Sequence, residues 1–597
     1  MDMASHEARV SIWIAAFGEA LAQQDIEAVQ GMFAETCYWR DLVAFTWNLK
    51  TVEGRAAIGE MLGATLTAVQ PCAWEIDGAV VEVAGVAEAW LRFETQAVRG
   101  IGHLRLSDKG AVTLFTSAQE LKGFEEKRGR SRAMGLAHGG ANDPKTWSEA
   151  RADERATLGY TEQPYVVIVG GGQGGIALGA RLRQLNVSCI ILDRNDRPGD
   201  SWRQRYKSLC LHDPVWYDHL PYIPFPEHWP VYTPKDKLGD WLESYVTLME
   251  LNYWAKSTCQ RASFDETLRE WKVEVDRDGE AVVLRPKQLV LATGMSGVPN
   301  MPDVPGAELF QGDIQHSSKH PGPDAYVGKR AVVVGSNNSA HDISAALYEV
   351  GADVTMVQRS STHVSTSKSR RELAQGPLYS EDALARGITV DKADLMFASI
   401  PYGMLAAAQK GIVEAQKIKD KNLYDRLRKV GFRLDFGEDE SGLFMKYLRR
   451  GSGYYIDVGA SDLIADGKIK LAQGQVVAIT EAGLTLEDGT ELAADLIVFA
   501  TGYGSMNGWA AKLISQEVAD KVGKVWGLGS DTTNDPGPWE GELRNMWKPT
   551  QQEALWFHGG NLHQSRHYSQ FLALQLKARE AGIPTPVYGL QEVHHLS

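Results

Sequence analysis

The sequence predicts an α/β protein: two Rossmann-like units, one inserted into the other, behind a small N-terminal α+β unit. Three observations predict it. Two segments, starting near Pro164 and near Arg330, each run from an apolar strand through a tight polar or glycine-rich turn into a helix and a second strand. Two more apolar strands, LVLATG (289–294) and LIVFATGYG (496–504), end in Thr-Gly turns. The 597 residues also exceed what two such units need, at roughly 150 residues per domain.

Composition narrows the class. Hydrophobic residues make up 44%, enough for sizeable cores. There are 62 basic and 76 acidic residues, a net charge of -14. That field repels phosphate, so a general nucleic-acid or anionic-membrane surface is disfavoured. The five cysteines, Cys37, Cys72, Cys189, Cys210 and Cys259, form no C-x-x-C pair. This excludes a disulfide framework and a cysteine zinc ribbon, and it predicts a reducing, cytoplasmic setting. The start, MDMASHEARV, has no basic n-region and reads as no signal peptide. No run reaches the roughly 20 apolar residues of a membrane span. No metal site is expected.

Residues 1–125 read as the α+β unit. Val10, Trp13, Phe17 and Leu21 recur at helical spacing. A second helix is expected from Asp25, as N-cap, to Phe33, with Val29 and Phe33 on one face. The period then falls to two in WLRFET, HLRLS and VTLFTS, with a turn at Asp108-Lys109-Gly110. With the F-A-E-x-x-x-W-R-D stretch ending at Asp41, this pattern resembles the NTF2-like (SnoaL-like) cone fold. Tyr38, Asp41 and His103 could line a cone pocket there; a packing or dimer role is the preferred reading. Residues 126–163, with KRGRSR, HGGANDP and EARADER, read as a linker with one short helix. The alternative is a segment wrapping the next domain, anchored by Trp147.

At Pro164 the texture changes. Tyr165–Val169 is a continuous apolar run, as in a buried parallel strand. It enters Gly170-Gly171-Gly172-Gln173-Gly174-Gly175, then the helix pattern IALGARLRQL, then Cys189–Leu192 ending at Asp193. Gly170 allows the tight turn, Gly172 lets a pyrophosphate approach the backbone, and Gly175 lets helix pack on strand. The carboxylate of Asp193 is placed to accept from a ribose.

The second unit runs from Arg330–Val334 through Gly335-Ser336-Asn337-Asn338-Ser339-Ala340 to DVTMVQRS. Asn337 and Ala340 replace two glycines, and Asn is expected to tolerate a left-handed turn. The strand ends in Arg359-Ser360, which can bind a 2′-phosphate that an acid would repel. Two dinucleotide units predict FAD on the first and NADP(H) on the second. The expected domains are 164–325 for the first part of the FAD domain and 326–490 for the inserted NADP domain. That domain carries a helical insert at about 380–450. The FAD domain returns over 491–597. Thr293, Thr501 and Gly502, in the Thr-Gly turns, are expected beside the cofactors.

These residues, with two more stretches, resemble class B flavin-dependent monooxygenases, above all flavin-containing monooxygenases. Gly199-Asp200-Ser201-Trp202 is similar to the family's G-G-x-W, with Asp200 for the second glycine. The run from Phe310 through Gly312 and His316 to His320 fits F-x-G-x-x-x-H followed by an aromatic, which His320 replaces. The family's asparagine near the flavin is replaced by His212, followed by Asp213. His212, His320 and the long N-terminal extension look like the type II, Baeyer–Villiger-active branch. His558–Arg566, with Gln564, is similar to the family's C-terminal flavin segment.

The resemblance implies an NADPH-dependent monooxygenase, with NADH also accepted. It would insert one oxygen atom of O2 into a small organic substrate through a flavin C4a-(hydro)peroxide. Ketones would react by Baeyer–Villiger oxidation, and amines or sulfides by N- or S-oxygenation. His212 and Asp213 are the candidate catalytic residues: His212 could bond the flavin edge, or be satisfied by Asp213 or backbone. His316 is expected to couple the two domains structurally. Lys368-Ser369-Arg370-Arg371 could add to phosphate binding, though a solvated basic loop is preferred. A homodimer is expected from the cone unit. Two other readings stay open: an NADPH oxidase releasing peroxide, and a flavin-containing ligand-sensing scaffold. A disulfide reductase would need a close cysteine pair, which the sequence lacks.

Overall fold

The computed structural model describes residues 3–135, 145–295 and 298–593. The HGGANDP stretch of the expected linker lies outside the described residues.

The N-terminal unit opens with helices α1 (Met3–Ala22) and α2 (Ile26–Gly31). Val10, Phe17 and Leu21 are buried as the helical spacing predicts. Asp25 caps α2 by accepting from the Ala28 N–H at 3.0 Å. The second helix is shorter than expected, because Phe33 already begins strand β1 (Phe33–Leu42). Then come β2 (Leu49–Glu53), α3 (Gly54–Val69), β3 (Cys72–Ile76), β4 (Val81–Val83), β5 (Val86–Glu94), β6 (Val98–Ser107) and β7 (Gly110–Leu121). The sheet order is β2-β1-β7-β6-β5-β3, with β1 parallel to β7 and the rest antiparallel. Aromatic rings fill its inner side: Trp13 stacks on Phe17 at 4.6 Å and Trp74 on Phe93 at 4.6 Å. Each such burial removes some 150–250 Å² of apolar surface from water.

Helix α4 (Trp147–Thr157) docks on the following domain through charge. Arg151 is buried and donates to the Glu250 carbonyl at 2.8 Å, while Trp147 stays 64% exposed. Trp147 also donates to Glu250 Oε1 at 3.0 Å, so Arg151 and Trp147 both tie this segment to Glu250.

The first parallel sheet comprises β8 (Val166–Val169), β9 (Cys189–Leu192), β10 (Tyr253–Trp254) and β11 (Gln288–Leu291). Helix α5 (Gln173–Gln184) connects β8 to β9. The second sheet takes β12 (Asp313–His316), β13 (Arg330–Val334), helix α6 (Asn338–Glu349) and β14 (Asp353–Gln358). A helical stretch follows, of which α7 (Val390–Ala398) and α8 (Tyr402–Lys419) matter below. The chain then adds β15 (Lys470–Gln473) and β16 (Leu496–Phe499) to the second sheet, in the order β12-β16-β13-β14-β15. Strand β17 (Leu555–Phe557) then pairs with β11 and completes the first sheet as β10-β9-β8-β11-β17. Helix α9 (Leu562–Glu580) packs on α5 and carries the chain across.

Two boundaries differ from the expected ones. Both β12 and β16 belong to the second sheet. The chain thus enters that sheet before residue 326 and returns to the first only at Leu555, not at 491. An apolar strand ending in Thr-Gly carries no mark of which of two like sheets it joins. Among the described residues no helix is long and apolar enough to cross a membrane, and no cluster of metal-ligating side chains occurs.

Candidate active site

The first glycine turn is built by close approach. Gly170 has φ +111°, and a Cβ there would lie 2.4 Å from the Ala292 carbonyl oxygen. A Cβ on Gly175 would lie 2.0 Å from the Gly170 oxygen, so helix sits on strand with no room for a side chain. Gly172 is different. A Cβ there would meet only Ser201 Oγ, at 3.7 Å. Nothing in the protein requires that glycine, and the space it leaves suits a diphosphate at the N-terminus of α5. Three neighbours carry buried polar atoms with no protein partner: Ser201 Oγ, Thr293 Oγ1 and both ring nitrogens of His558. Unpaired buried donors and acceptors are costly, and these fit the edges of a bound polar cofactor. Burial lowers the His558 pKa to about 3, so the ring is neutral.

Asp193 is more occupied than expected. Its Oδ2 accepts from the Gly171 N–H at 2.7 Å and its Oδ1 from the Asn195 N–H at 2.8 Å. The carboxylate holds the glycine turn in shape, and any ribose contact must use its remaining lone pairs. Trp202 donates to Gln173 Oε1 at 3.2 Å, and Gln173 donates to the Gly560 oxygen at 3.2 Å. Gln564 closes the N-terminal cap of α9: its N–H donates to Asn561 Oδ1 at 2.8 Å, and its side chain accepts from the Asn561 N–H. The C-terminal segment therefore lies against the first glycine turn. Asp200, standing where the family motif has glycine, accepts from Arg203 at 2.9 Å and Arg197 at 3.1 Å.

The second turn repeats the design. Gly335 has φ +129°, and a Cβ would lie 2.5 Å from the Ala500 oxygen. Each Thr-Gly turn thus presses its preceding alanine carbonyl on the first glycine of one loop, 292 on 170 and 500 on 335. Asn337 has φ −98°, so the left-handed backbone expected of it is not used. Gly172 at the matching position has φ −77°, and neither site requires glycine for its dihedrals. Ser336 bonds Thr362 at 2.8 Å, and Asn338 accepts from the Ile456 N–H at 2.9 Å. Ser339 is half-buried beside them. Arg359 and Ser360 are exposed at the end of β14, and the Arg359 guanidinium has no ion-pair partner among the described residues. Sequence reading missed Arg433. It is held at the same edge by Gln358, which accepts its N–H at 2.8 Å, and it donates to the Arg359 carbonyl at 3.1 Å.

The F-x-G-x-x-x-H stretch joins these turns. A Cβ on Gly312 would lie 2.2 Å from the Asp495 oxygen, while Phe310 is half-buried beside that strand. His316 Nε2 donates to the Gly502 oxygen at 3.1 Å, and its Nδ1 accepts from the Ser318 N–H at 3.1 Å. Thr501 donates to the Asn300 oxygen at 2.6 Å. His320 bonds Gln315 at 2.9 Å and packs over Tyr326; burial lowers its pKa to about 4.

His212 and Asp213 do not pair with each other. His212 Nε2 faces Asp342 Oδ2 of α6 at 3.3 Å, across the two units. Asp213 Oδ1 accepts from Arg370 at 2.9 and 3.1 Å and from Gln375 at 2.7 Å. Arg370 is thus no solvated loop residue. Asp218 lies buried nearby; burial and then the Asp213 charge push its pKa well above the usual range. An apolar cavity of about 70 Å³ opens on Arg370 and Gln375, walled by Tyr217, Tyr379, Phe397 and Phe444. A larger cavity, about 220 Å³, lies where β7, α5, α7 and α9 meet, and neither cavity is lined by a residue of either glycine turn.

In the N-terminal unit, two of the three residues that could line a cone pocket are engaged by neighbours, and the third, Tyr38, is half-buried on β1. Asp41 is fully buried and accepts from the N–H groups of Phe45 and Thr46 and the hydroxyls of Thr46 and Thr116. His103 lies against Trp90 instead.

Residues 167–381 match the family described as pyridine nucleotide-disulphide oxidoreductase. The rice (Oryza sativa subsp. japonica) protein named indole-3-pyruvate monooxygenase YUCCA1 is 32% identical over 367 residues, 60% of this chain and 82% of that protein. The chain belongs to the flavin monooxygenase family. Flavin monooxygenases use FAD and NADPH, with O2 as oxidant. A second relative, probable indole-3-pyruvate monooxygenase YUCCA10 of Arabidopsis thaliana, is 32% identical over 344 residues, 57% of this chain and 82% of that one. The solved structure of a cyclohexanone monooxygenase with ε-caprolactone bound shares the fold, at TM-score 0.51 and 17% identity. It covers 70% of this chain and 88% of that one. The buried unpaired atoms around the first turn fit FAD, and the unpaired Arg359 fits a phosphate.

Proposed function

We propose that this flavin monooxygenase oxygenates a carbonyl carbon of a small aryl ketone or 2-oxo acid. The observation that carries this reading is the aromatic-walled cavity opening on the Arg370–Asp213 pair. The rings suit an aryl group, and a fixed guanidinium suits the negative charge that develops when a carbonyl is attacked. The curated relatives named for indole-3-pyruvate, an aryl 2-oxo acid, point the same way.

When bound, NADPH supplies the hydride and FAD passes the electrons to O2. The protein's own residues bind, orient and exclude water. Gly172 and the N-terminus of α5 take the FAD diphosphate, and Asp193 fixes that turn. Thr293, Ser201 and His558 offer their free polar atoms to the cofactor. The N-terminus of α6 takes the NADPH diphosphate, and Arg359 with Ser360 takes the 2′-phosphate; Arg433 adds a second positive charge. His316 holds the Gly502 turn, and His212 on Asp342 holds one unit to the other. Helices α7 and α8 cover the cavity and keep water from it.

The reading is tested by supplying phenylpyruvate or phenylacetone with NADPH in air. Product formation matched to NADPH consumption supports it. Turnover of thioanisole but of neither carbonyl compound would replace it with S-oxygenation.

A further inference from the structure

The N-terminal unit reaches the cover of the cavity through two arginines. Arg40, on β1, is 1% exposed. Its guanidinium binds Glu542 through two bonds, of 2.7 and 2.9 Å, and meets the Tyr568 hydroxyl of α9 at 3.2 Å. The same group donates to the Ala398 carbonyl at 2.6 Å and lies 4.6 Å over the Tyr402 ring. Arg105, on β6, donates to the Ser399 carbonyl and to Ser399 Oγ, both at 2.9 Å.

These acceptors share one place in the fold. Helix α7 ends at Ala398, and α8 begins at Tyr402. The last carbonyls of a helix have no partner within it, and that end carries partial negative charge. Both arginines therefore cap the C-terminus of α7 from another domain. The capped corner shapes the cavity. Phe397, one residue before the end of α7, lines it, and so do Gln409, Ile412 and Val413 of α8. Asp394 of α7 is bound to Arg566 of α9 at 2.9 Å twice, so the other side of α7 is tied as well.

We propose that Arg40 and Arg105 are positioning residues for oxygenation: the N-terminal unit is a clamp that closes helices α7 and α8 over the substrate cavity. Neither arginine lines that cavity, so neither is a catalytic residue. The proposal rests on reading the cavity as the substrate site. It gives the N-terminal unit a task in the reaction and not only in assembly.

The test uses full-length, FAD-loaded protein with Arg105→Met, Arg105→Lys and Ser399→Ala, and phenylacetone and phenylpyruvate as probes. For Arg105→Met the KM of the accepted carbonyl probe rises about tenfold, the worth of one charge-assisted hydrogen bond. A larger share of NADPH is then consumed as peroxide. FAD content and the KM for NADPH hold at wild-type values, and Arg105→Lys recovers part of the loss. A purely packing role would lower the yield and melting temperature but leave probe KM and peroxide share in place. Probe KM and peroxide share within about twofold of wild type would overturn the clamp. Should Arg105→Met fail to hold FAD, Ser399→Ala, which deletes a single acceptor hydroxyl, is judged by the same two outcomes. Wild type that oxygenates neither probe contradicts the substrate reading instead, and is seen before any variant is made.

Discussion

His212 Nε2 and Asp342 Oδ2 lie 3.3 Å apart, and they join a loop of the first dinucleotide unit to a helix of the second. Tyr206 donates to the same Asp342 oxygen at 2.6 Å. Burial lowers the His212 pKa, but the hydrogen bond and charge of Asp342, with the Asp213 charge, outweigh it and raise the pKa above 6.5. A histidine whose pKa is raised on folding adds stability that is complete below its unfolded pKa. That stability is lost as pH rises through the folded one. The melting temperature should therefore fall as pH rises above about 6.5. Asp342→Asn should flatten that dependence. An unchanged pH profile in Asp342→Asn would refute the pairing.

Arg359, at the end of β14, and Arg433, held at the same edge, are proposed to set coenzyme choice. Arg359→Ala should raise the KM for NADPH about tenfold or more, as expected for losing one charge-assisted contact to phosphate, and leave the KM for NADH in place. Arg433→Ala should act in the same direction and more weakly, since its guanidinium also holds the Arg359 carbonyl. Steady-state kinetics with both coenzymes decide this. Equal losses with NADH would mean that neither arginine reads the 2′-phosphate.

Gly172 and Gly175 should fail in different ways. Alanine at 175 places a Cβ 2.0 Å from the Gly170 oxygen and should unfold the unit or prevent its expression. Alanine at 172 meets nothing closer than Ser201 Oγ at 3.7 Å. Its apoprotein should melt near the wild-type temperature while FAD content falls. Full FAD retention in Gly172→Ala would move the diphosphate elsewhere.

Arg370 holds the charge of Asp213, with Asp218 buried close by. Arg370→Met strands buried acid and should cost about 3–5 kcal/mol of stability. Adding Asp213→Asn should recover part of that loss. In the double variant oxygenation should still be lost while NADPH oxidation persists. Denaturant melts and product assays separate the two effects. A double variant that oxygenates normally would remove Arg370 from the reaction.

Much of this was legible in the residues. Gly170, Gly175, Gly335 and the apolar runs beside them announce two Rossmann-like units, because their spacing serves backbone contacts that any such unit makes. Local signals such as the Asp25 cap and the Asp108–Gly110 turn were legible for the same reason. What the sequence did not disclose depends on contacts between distant segments. Nothing near His212 points to Asp342, 130 positions away in the next unit. Arg370 reads as part of a basic loop until Asp213 is placed against it. Asn337 invited an argument from dihedrals that its extended backbone does not need. Strand β16 could have joined either sheet, since Leu496–Phe499 is apolar on both faces.

The most direct test of the account follows the oxygen atom. FAD-loaded protein would be given NADPH, ¹⁸O2 and phenylacetone or phenylpyruvate, and product and peroxide would be counted against NADPH consumed. One ¹⁸O atom newly inserted per product molecule, near-equal product and NADPH consumption, and little peroxide are expected. Unlabelled or absent product from both probes, with the consumed NADPH recovered as peroxide, would contradict it.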